Sequence, residues 1–170
     1  RQITSKIARW HFAPTKISRS NLISENVDPK KIIVTGNTVI DALHWVLNRI
    51  ESDFKQLRNL KVFLDKTLKF NWAEDSFILI TGHRRENFGT GFQEICQAIH
   101  DLALKFKSVQ FVYPVHLNPN VQSPVNKILK NLLNVHLIKP LDYEPFIFLL
   151  KHCYFVLTDS GGIQEEAPSL

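Results

Sequence analysis

Methionine is missing from all 170 residues, and the first residue is Arg. Because translation starts on methionine, the sequence reads as a piece of a longer protein or a trimmed product. Cysteine is scarce. Cys96 and Cys153 each sit in an apolar pattern with no paired spacing, which argues against a disulfide framework and for reduced core thiols in a cytosolic protein. No apolar run approaches the ~20 residues needed to cross a bilayer, and no charged-then-apolar leader opens the chain. Dense basic runs are lacking too. The net charge of +5 is spread along the chain, which suits attraction for a small anion and not a nucleic-acid surface. No G-x-G-x-x-G follows an apolar strand pattern, so a dinucleotide oxidoreductase is disfavoured. His11 and His116 have no partner at metal-ligand spacing, and no metal is expected.

What is present begins with an apolar fraction of 44%, enough for a core in a chain that buries roughly 70% of its extended surface. Helical and strand patterns alternate. Residues 1–9 fit the tail of a helix, and Trp10-His11-Phe12-Ala13-Pro14 a short strand closed by proline. Thr15 or Ser18 caps a short helix through Asn26, and the Asp28-Pro29 turn leads to a strand from Lys31 to Gly36. Asn37 caps an amphipathic helix on which Val39, Ile40, Leu43, Val46, Leu47 and Ile50 recur at three and four, with His44 at the surface and Trp45 partly buried. Asp53 to Phe70 continues helically around Phe54, Leu57, Leu60 and Leu64.

An uninterrupted apolar strand follows at Phe77 to Thr81, then a helix from Gly91 with Phe92, Ile95, Cys96, Ile99, Leu102, Ala103 and Phe106 on one face. Val109 to Tyr113 is the next strand. Pro114 to Val121 reads as a stiff polar loop, Val125 to Leu133 as a short helix, and Val135 to Ile138 as a strand. Pro145 opens one more helix. Strands this apolar, alternating with helices, predict an α/β fold: a Rossmann-like parallel sheet with helices on both faces.

Two polar clusters stand out against this pattern. Tyr154 to Thr158 reads as a buried strand, and Ser160-Gly161-Gly162 as a sharp turn into a helix, where backbone approaches a ligand without Cβ interference. Such a helix start suits a phosphate. Glu166, about one turn further on, can accept hydrogen bonds from two vicinal hydroxyls such as those of a ribose. On its own, a Ser-Gly-Gly turn is more often only a turn. The other cluster is Gly82-His83-Arg84-Arg85-Glu86-Asn87, at the carboxyl end of an apolar strand, where open α/β sheets bind ligands.

The segment Asp159-Ser160-Gly161-Gly162-Ile163-Gln164-Glu165-Glu166-Ala167-Pro168-Ser169 resembles the signature of the bacterial non-hydrolysing UDP-N-acetylglucosamine 2-epimerases. Four more segments resemble that family's motifs in the family's order: His11-Phe12-Ala13-Pro14-Thr15, Gly36-Asn37-Thr38-Val39-Ile40-Asp41-Ala42, Thr81-Gly82-His83-Arg84-Arg85-Glu86 and Tyr113-Pro114-Val115-His116-Leu117-Asn118-Pro119. The resemblance implies a two-domain GT-B architecture. Residues 1–29 would be the end of the first domain and the connection, and residues 30–170 an incomplete UDP-binding second domain. It also implies a cytoplasmic homodimer, working without a cofactor, that interconverts UDP-GlcNAc and UDP-ManNAc for surface polysaccharide. The family mechanism eliminates UDP to give a 2-acetamidoglucal and adds it back with the opposite configuration at C2.

Residue roles follow from the same resemblance. His83 would contact the leaving phosphates, Ser160, Gly161 and Gly162 would hold them, and Glu166 would bind the ribose. Phe146, in Tyr143-Glu144-Pro145-Phe146, matches the residue that lies against the uracil. His116 matches a histidine that touches a second UDP-GlcNAc in an activating site of some members. Leu141 stands where other members carry glutamine, which removes that side-chain hydrogen bond to uracil. The family's acid and base carboxylates belong to the first domain, and a phosphate-binding arginine follows the last residue here. The chain alone is therefore expected not to epimerise, while retaining weak affinity for UDP.

Blander readings stand beside these. His83 fits a polar loop equally well on residue type alone, and Arg84 and Arg85 read as solvated side chains or as general attraction for phosphate. Glu86 pairs with either of them at under about 1 kcal/mol if exposed. Phe146 without the family match is core, and Asp159 braces the turn or meets the ligand. His100, His136 and His152 fall on helix or strand patterns and are structural. Three alternatives in function remain: a hydrolysing epimerase releasing ManNAc and UDP, the donor-nucleotide half of a GT-B glycosyltransferase, and a non-catalytic nucleotide-sugar binding remnant. The glycosyltransferase would share the glycine turn and the ribose glutamate. It has no reason to carry the His83 and His116 segments together.

Overall fold

The computed structural model describes residues 2–82 and 89–170, which fall into two units, Arg1–Trp45 and Val46–Leu170. In the first unit, helix α1 (Gln2–Ile7) precedes strand β1 (His11–Ala13), helix α2 (Lys16–Ser24) and strand β2 (Ile32–Val34). The strands pair in parallel, His11 opposite Ile32. Thr15 is the cap of α2, its hydroxyl accepting from the Ser18 N–H at 3.0 Å. Asn26 takes a left-handed φ of 64°, and Asp28 then accepts from the Lys30 N–H at 2.9 Å to open a 3-10 turn at Pro29–Lys31. Ala13, Val27 and Ile32 form a small core with Leu22 and Ile23 against it.

Helix α3 (Thr38–Ser52) belongs to both units by sequence. Asn37 caps it as expected, accepting from the Val39 N–H at 3.1 Å. Leu43, Leu47 and Ile50 are its buried positions, so Trp45, on the opposite side of the helix, is 62% exposed instead of partly buried. Asp53 ends the run by capping α4 (Phe54–Thr67), its carboxylate accepting from the Lys55 and Gln56 N–H groups at 2.9 and 3.1 Å. Phe54 is the first residue of that helix and is exposed, not part of its apolar face.

The second unit continues through β3 (Phe77–Thr81), α5 (Thr90–Lys105), β4 (Gln110–Pro114), α6 (Pro119–Leu129), β5 (Val135–Ile138), α7 (Tyr143–His152), β6 (Phe155–Thr158) and α8 (Gly161–Glu166). Among the described residues its four strands are parallel, in the order β5-β4-β3-β6. Alternation of side chains along β3 sends Ile78 and Ile80 into a core built with Phe92, Cys96 and Ile99 of α5 and Val121, Val125 and Leu129 of α6. Phe77 and Leu79 go into a second core with Leu60 and Leu64 of α4 and Phe148 and Leu149 of α7. Both faces of β3 are therefore covered by helices, as its apolar sequence predicted, whereas β6, also read as a buried strand, is only partly covered, with Tyr154 and Phe155 exposed. At about 1.5–3 kcal/mol for each large apolar side chain removed from water, β3 anchors the unit.

One helix differs from expectation. α6 starts at Pro119, within the segment read as a loop, and stops at Leu129, short of Leu133. Asn118 caps it by accepting from the Asn120 N–H at 2.9 Å, and proline is favoured in the first turn because the N–H it lacks has no intrahelical acceptor there. Pro124 lies inside the helix, where burial of Val121, Val125 and Leu129 every fourth residue outweighs its cost. No helix among the described residues is long and apolar enough to cross a membrane.

Strand order positions the site. The chain lays β3, β4 and β5 outward in one direction, then returns through α7 to put β6 on the other flank of β3. Between β3 and β6 the order reverses, and in open α/β sheets the crevice beyond the carboxyl ends of such a pair is where ligands bind.

Candidate functional site

At that crevice Thr81 and Thr158 face each other as the last residues of β3 and β6. Their hydroxyls are 2.6 Å apart. The Asp159 N–H donates to the Thr81 carbonyl at 3.2 Å, and the Ser160 N–H to the Thr158 hydroxyl at 2.9 Å. The chain is thus held to β3 through Asp159 and turns at Ser160. Ser160 has an extended backbone, φ −81° and ψ 123°, and its side chain makes no capping hydrogen bond to α8.

Above the turn, two polar side chains converge. A Cβ placed on Gly162 would lie 3.7 Å from Glu166 Oε1 and 3.9 Å from Ser160 Oγ. Hydroxyl and carboxylate therefore approach the same point over a residue without a side chain. The first-turn N–H groups of α8 have no intrahelical acceptor, so donors and a carboxylate stand side by side. With only six residues, α8 contributes through these N–H groups and not through a long dipole. Burial, and then the neighbouring Glu165, raise the Glu166 carboxyl above its ordinary pKa.

The start of α7 lies alongside. Burial raises the Tyr143 phenol, and the Glu166 charge adds to that effect. Phe146, on the same face one turn later, is half-buried and packs with Ile163 and Ala167 against the core shared by α4 and α7. The packing reading of Phe146 is thus partly realised, and part of the ring stays exposed. Glu144 fixes this turn by pairing with Arg49 of α3 and accepting from Gln56 Nε2 of α4 at 2.9 Å. Leu141 is half-buried against the same core.

Ser160, Gly161, Gly162 and Glu166 are brought together, with Phe146 on the neighbouring helix. His83, Arg84 and Arg85 lie outside the described residues. Gly82, which leads into them, is tied down by the Tyr113 hydroxyl, which donates to its carbonyl at 2.7 Å. Tyr113 is 1% exposed, and burial, followed by Cys96 and Asp159, raises its phenol, so the proton stays available to donate. His116 follows β4 on the same edge of the sheet, its Nδ1 accepting from the Asn118 N–H at 3.1 Å. His116 thus follows β4, which β3 separates from the strand that leads into the Ser160 turn.

A cavity of about 300 Å³ also opens at this edge, on the α5 side, lined by Ile80, Ile95, Leu102, Tyr113 and Leu157 with Thr158 and Asp159 at its margin. Its apolar wall offers nothing to a diphosphate, and Ser160, Gly162, Glu166 and Phe146 do not line it. The three histidines expected to be structural make contacts within the fold: His136 stacks on Phe70 with centroids 4.6 Å apart, His152 on Phe148 at 4.2 Å, and His100 bonds Asp101 at 3.0 Å. Burial pushes the Cys96 thiol up to about 11 and raises Cys153, which makes both poor nucleophiles. Thr81, Thr158, Tyr113 and Tyr143 were not singled out by sequence reasoning. A signal existed, since Ile80-Thr81-Gly82 and Leu157-Thr158-Asp159 end two apolar strands in the same way.

A family model described as UDP-N-acetylglucosamine 2-epimerase matches residues 1–170. The chain is 55% identical over 170 residues to the UDP-N-acetylglucosamine 2-epimerase of Yersinia pestis and 52% identical to that of Escherichia coli K12, covering 100% of this chain and 44% of each relative. The crystal structure of UDP-GlcNAc 2-epimerase from Neisseria meningitidis bound to UDP-GlcNAc is 45% identical and superposes with a TM-score of 0.89, over 99% of this chain and 44% of that one. The chain thus spans less than half the length of the relatives it matches. Matched from end to end by that family model, and with its glycine turn, carboxylate and half-buried phenylalanine gathered at one strand-order reversal, this chain belongs to the UDP-N-acetylglucosamine 2-epimerase family.

Proposed function

We propose that this chain is the UDP-binding part of an enzyme that interconverts UDP-GlcNAc and UDP-ManNAc. The observation that carries the reading is the convergence of Ser160 Oγ and Glu166 Oε1 over Gly162 at the β3–β6 crevice. It supports a uridine diphosphate lying with its phosphates on the Ser160-Gly161-Gly162 turn, its ribose hydroxyls donating to Glu166 and its uracil against Phe146. His83 would meet the departing phosphates, Arg84 and Arg85 would add positive charge nearby, and His116 would contact a second UDP-GlcNAc in an activating site.

The chemistry asks two things of such a protein. A base removes the C2 proton, and the C1–oxygen bond breaks with its electron pair leaving on UDP, giving a 2-acetamidoglucal. UDP then adds back to C1 as a proton is delivered to the opposite face of C2. Residues of this chain serve the leaving group, because donors aimed at the diphosphate stabilise the charge that develops as the bond breaks. The base and acid belong to the partner half of a GT-B pair, so the isolated chain binds UDP without turnover. A cytoplasmic homodimer feeding surface polysaccharide completes the reading.

The test is proton NMR of UDP-GlcNAc with the intact protein in deuterated water. Deuterium at C2 together with UDP-ManNAc signals is the expected result. Free ManNAc and UDP would replace it by a hydrolysing epimerase. Absence of exchange from a folded, UDP-binding protein would overturn both and direct attention to glycosyl transfer.

A further inference from the structure

We propose that Thr158 is a positioning residue for the diphosphate turn, and that by engaging the Ser160 N–H it restricts the turn's phosphate donors to the Ser160 hydroxyl and the N–H groups of Gly161 and Gly162. The inference rests on the UDP reading above. A threonine hydroxyl has one hydrogen and two lone pairs. One lone pair of Thr158 Oγ1 accepts the Ser160 N–H at 2.9 Å, which removes that N–H from the set facing a ligand. The same oxygen is 2.6 Å from Thr81 Oγ1, a residue 77 positions earlier on the adjacent strand.

The first bond alone would be a local turn. With the second, the place where the chain leaves β6 is referred to β3, the strand buried on both faces. The Asp159 N–H bond to the Thr81 carbonyl repeats the link through the backbone. The start of the turn therefore inherits the rigidity of the sheet. Ser160 Oγ, left without a capping role, remains available to a phosphate.

Isothermal titration of the intact protein with UDP and with uridine tests this, using Thr158→Val, Thr158→Ser and Thr81→Val. Loss of the Thr158 hydroxyl unties the turn from β3 and is expected to weaken UDP about tenfold even though the Ser160 N–H is freed, while uridine stays within about twofold, and tighter binding of UDP by the variant would overturn the proposal. Thr158→Ser keeps the hydroxyl and restores wild-type affinity. Thr81→Val removes only the cross-strand partner and has a smaller effect, about threefold. If Thr158→Val melts at a lower temperature but binds UDP like wild type, the hydroxyl serves stability alone and the proposal is overturned. Should Thr158→Val fail to fold, wild-type UDP affinity in Thr81→Val overturns it instead. A folded wild-type protein with no affinity for UDP would defeat the underlying reading, a result separable from any difference among variants.

Discussion

Glu166 illustrates how a residue can oppose the stability of the protein that carries it. Burial and Glu165 raise its pKa, so the folded state favours the protonated form. The stability contributed by that proton is present at low pH and lost as pH rises through the folded-state pKa. Glu166→Gln should therefore raise the melting temperature at neutral pH, with the gain vanishing toward acid, as read by calorimetry across pH. Binding should respond in the opposite direction. The variant loses an acceptor for ribose hydroxyls, and wild-type affinity for UDP should fall as pH drops, beginning above the ordinary carboxylate range. An unchanged pH dependence of UDP binding would remove Glu166 from the ribose. The turn itself was legible in the sequence from its glycines, whereas its pairing with Glu166 rested on the resemblance to the family, because a Ser-Gly-Gly turn alone is more often only a turn. Thr158 was not legible, since its importance depends on which strand becomes its neighbour.

Among the elements, the sequence showed the alternation well and the boundaries less well. Apolar strands such as Phe77 to Thr81 could be read because both of their faces are buried, leaving no polar residue to interrupt them. α6 was misread at its start because Asn118-Pro119 signals a turn and a helix cap with the same two residues, and the packing of Val121 that decides between them is not local. Trp45, read as partly buried on α3, is instead turned outward by its angle on the helix. One side chain braces the join between α5 and β4 beside its backbone hydrogen bonds. The two hydrogens of Asn134 Nδ2 are shared among the carbonyls of Ala103, Phe106 and Val109 at 3.0, 3.2 and 3.0 Å, closing the end of the helix onto the start of the strand. Asn134→Ala should cost about 1–3 kcal/mol in urea unfolding, and Asn134→Asp more, because it turns a donor into an acceptor facing three acceptors. Equal stability of the alanine variant would show that solvent satisfies those carbonyls at no cost.

For the molecule as a whole, the outer edge of the sheet matters. Among the described residues β6 pairs with β3 alone, and Tyr154 and Phe155 are exposed beside it. An open, apolar strand edge is a template for self-association. The 170-residue chain should therefore form soluble oligomers or aggregates, and Phe155→Lys should shift it toward monomer in light scattering; an unchanged size distribution would place the contact elsewhere. The same strand order also sets a schedule. β3 meets β4 from Phe77 to Gln110, but it meets β6 from Ile78 to Phe155, so closing the second loop costs roughly 0.6 kcal/mol more for each doubling of length. In pulse-labelled hydrogen exchange during refolding, the amides of β4 should gain protection before those of β6. The turn that follows β6 would then take shape only after β4 is in place, and a ligand that holds β6 against β3 would slow unfolding more than it speeds folding.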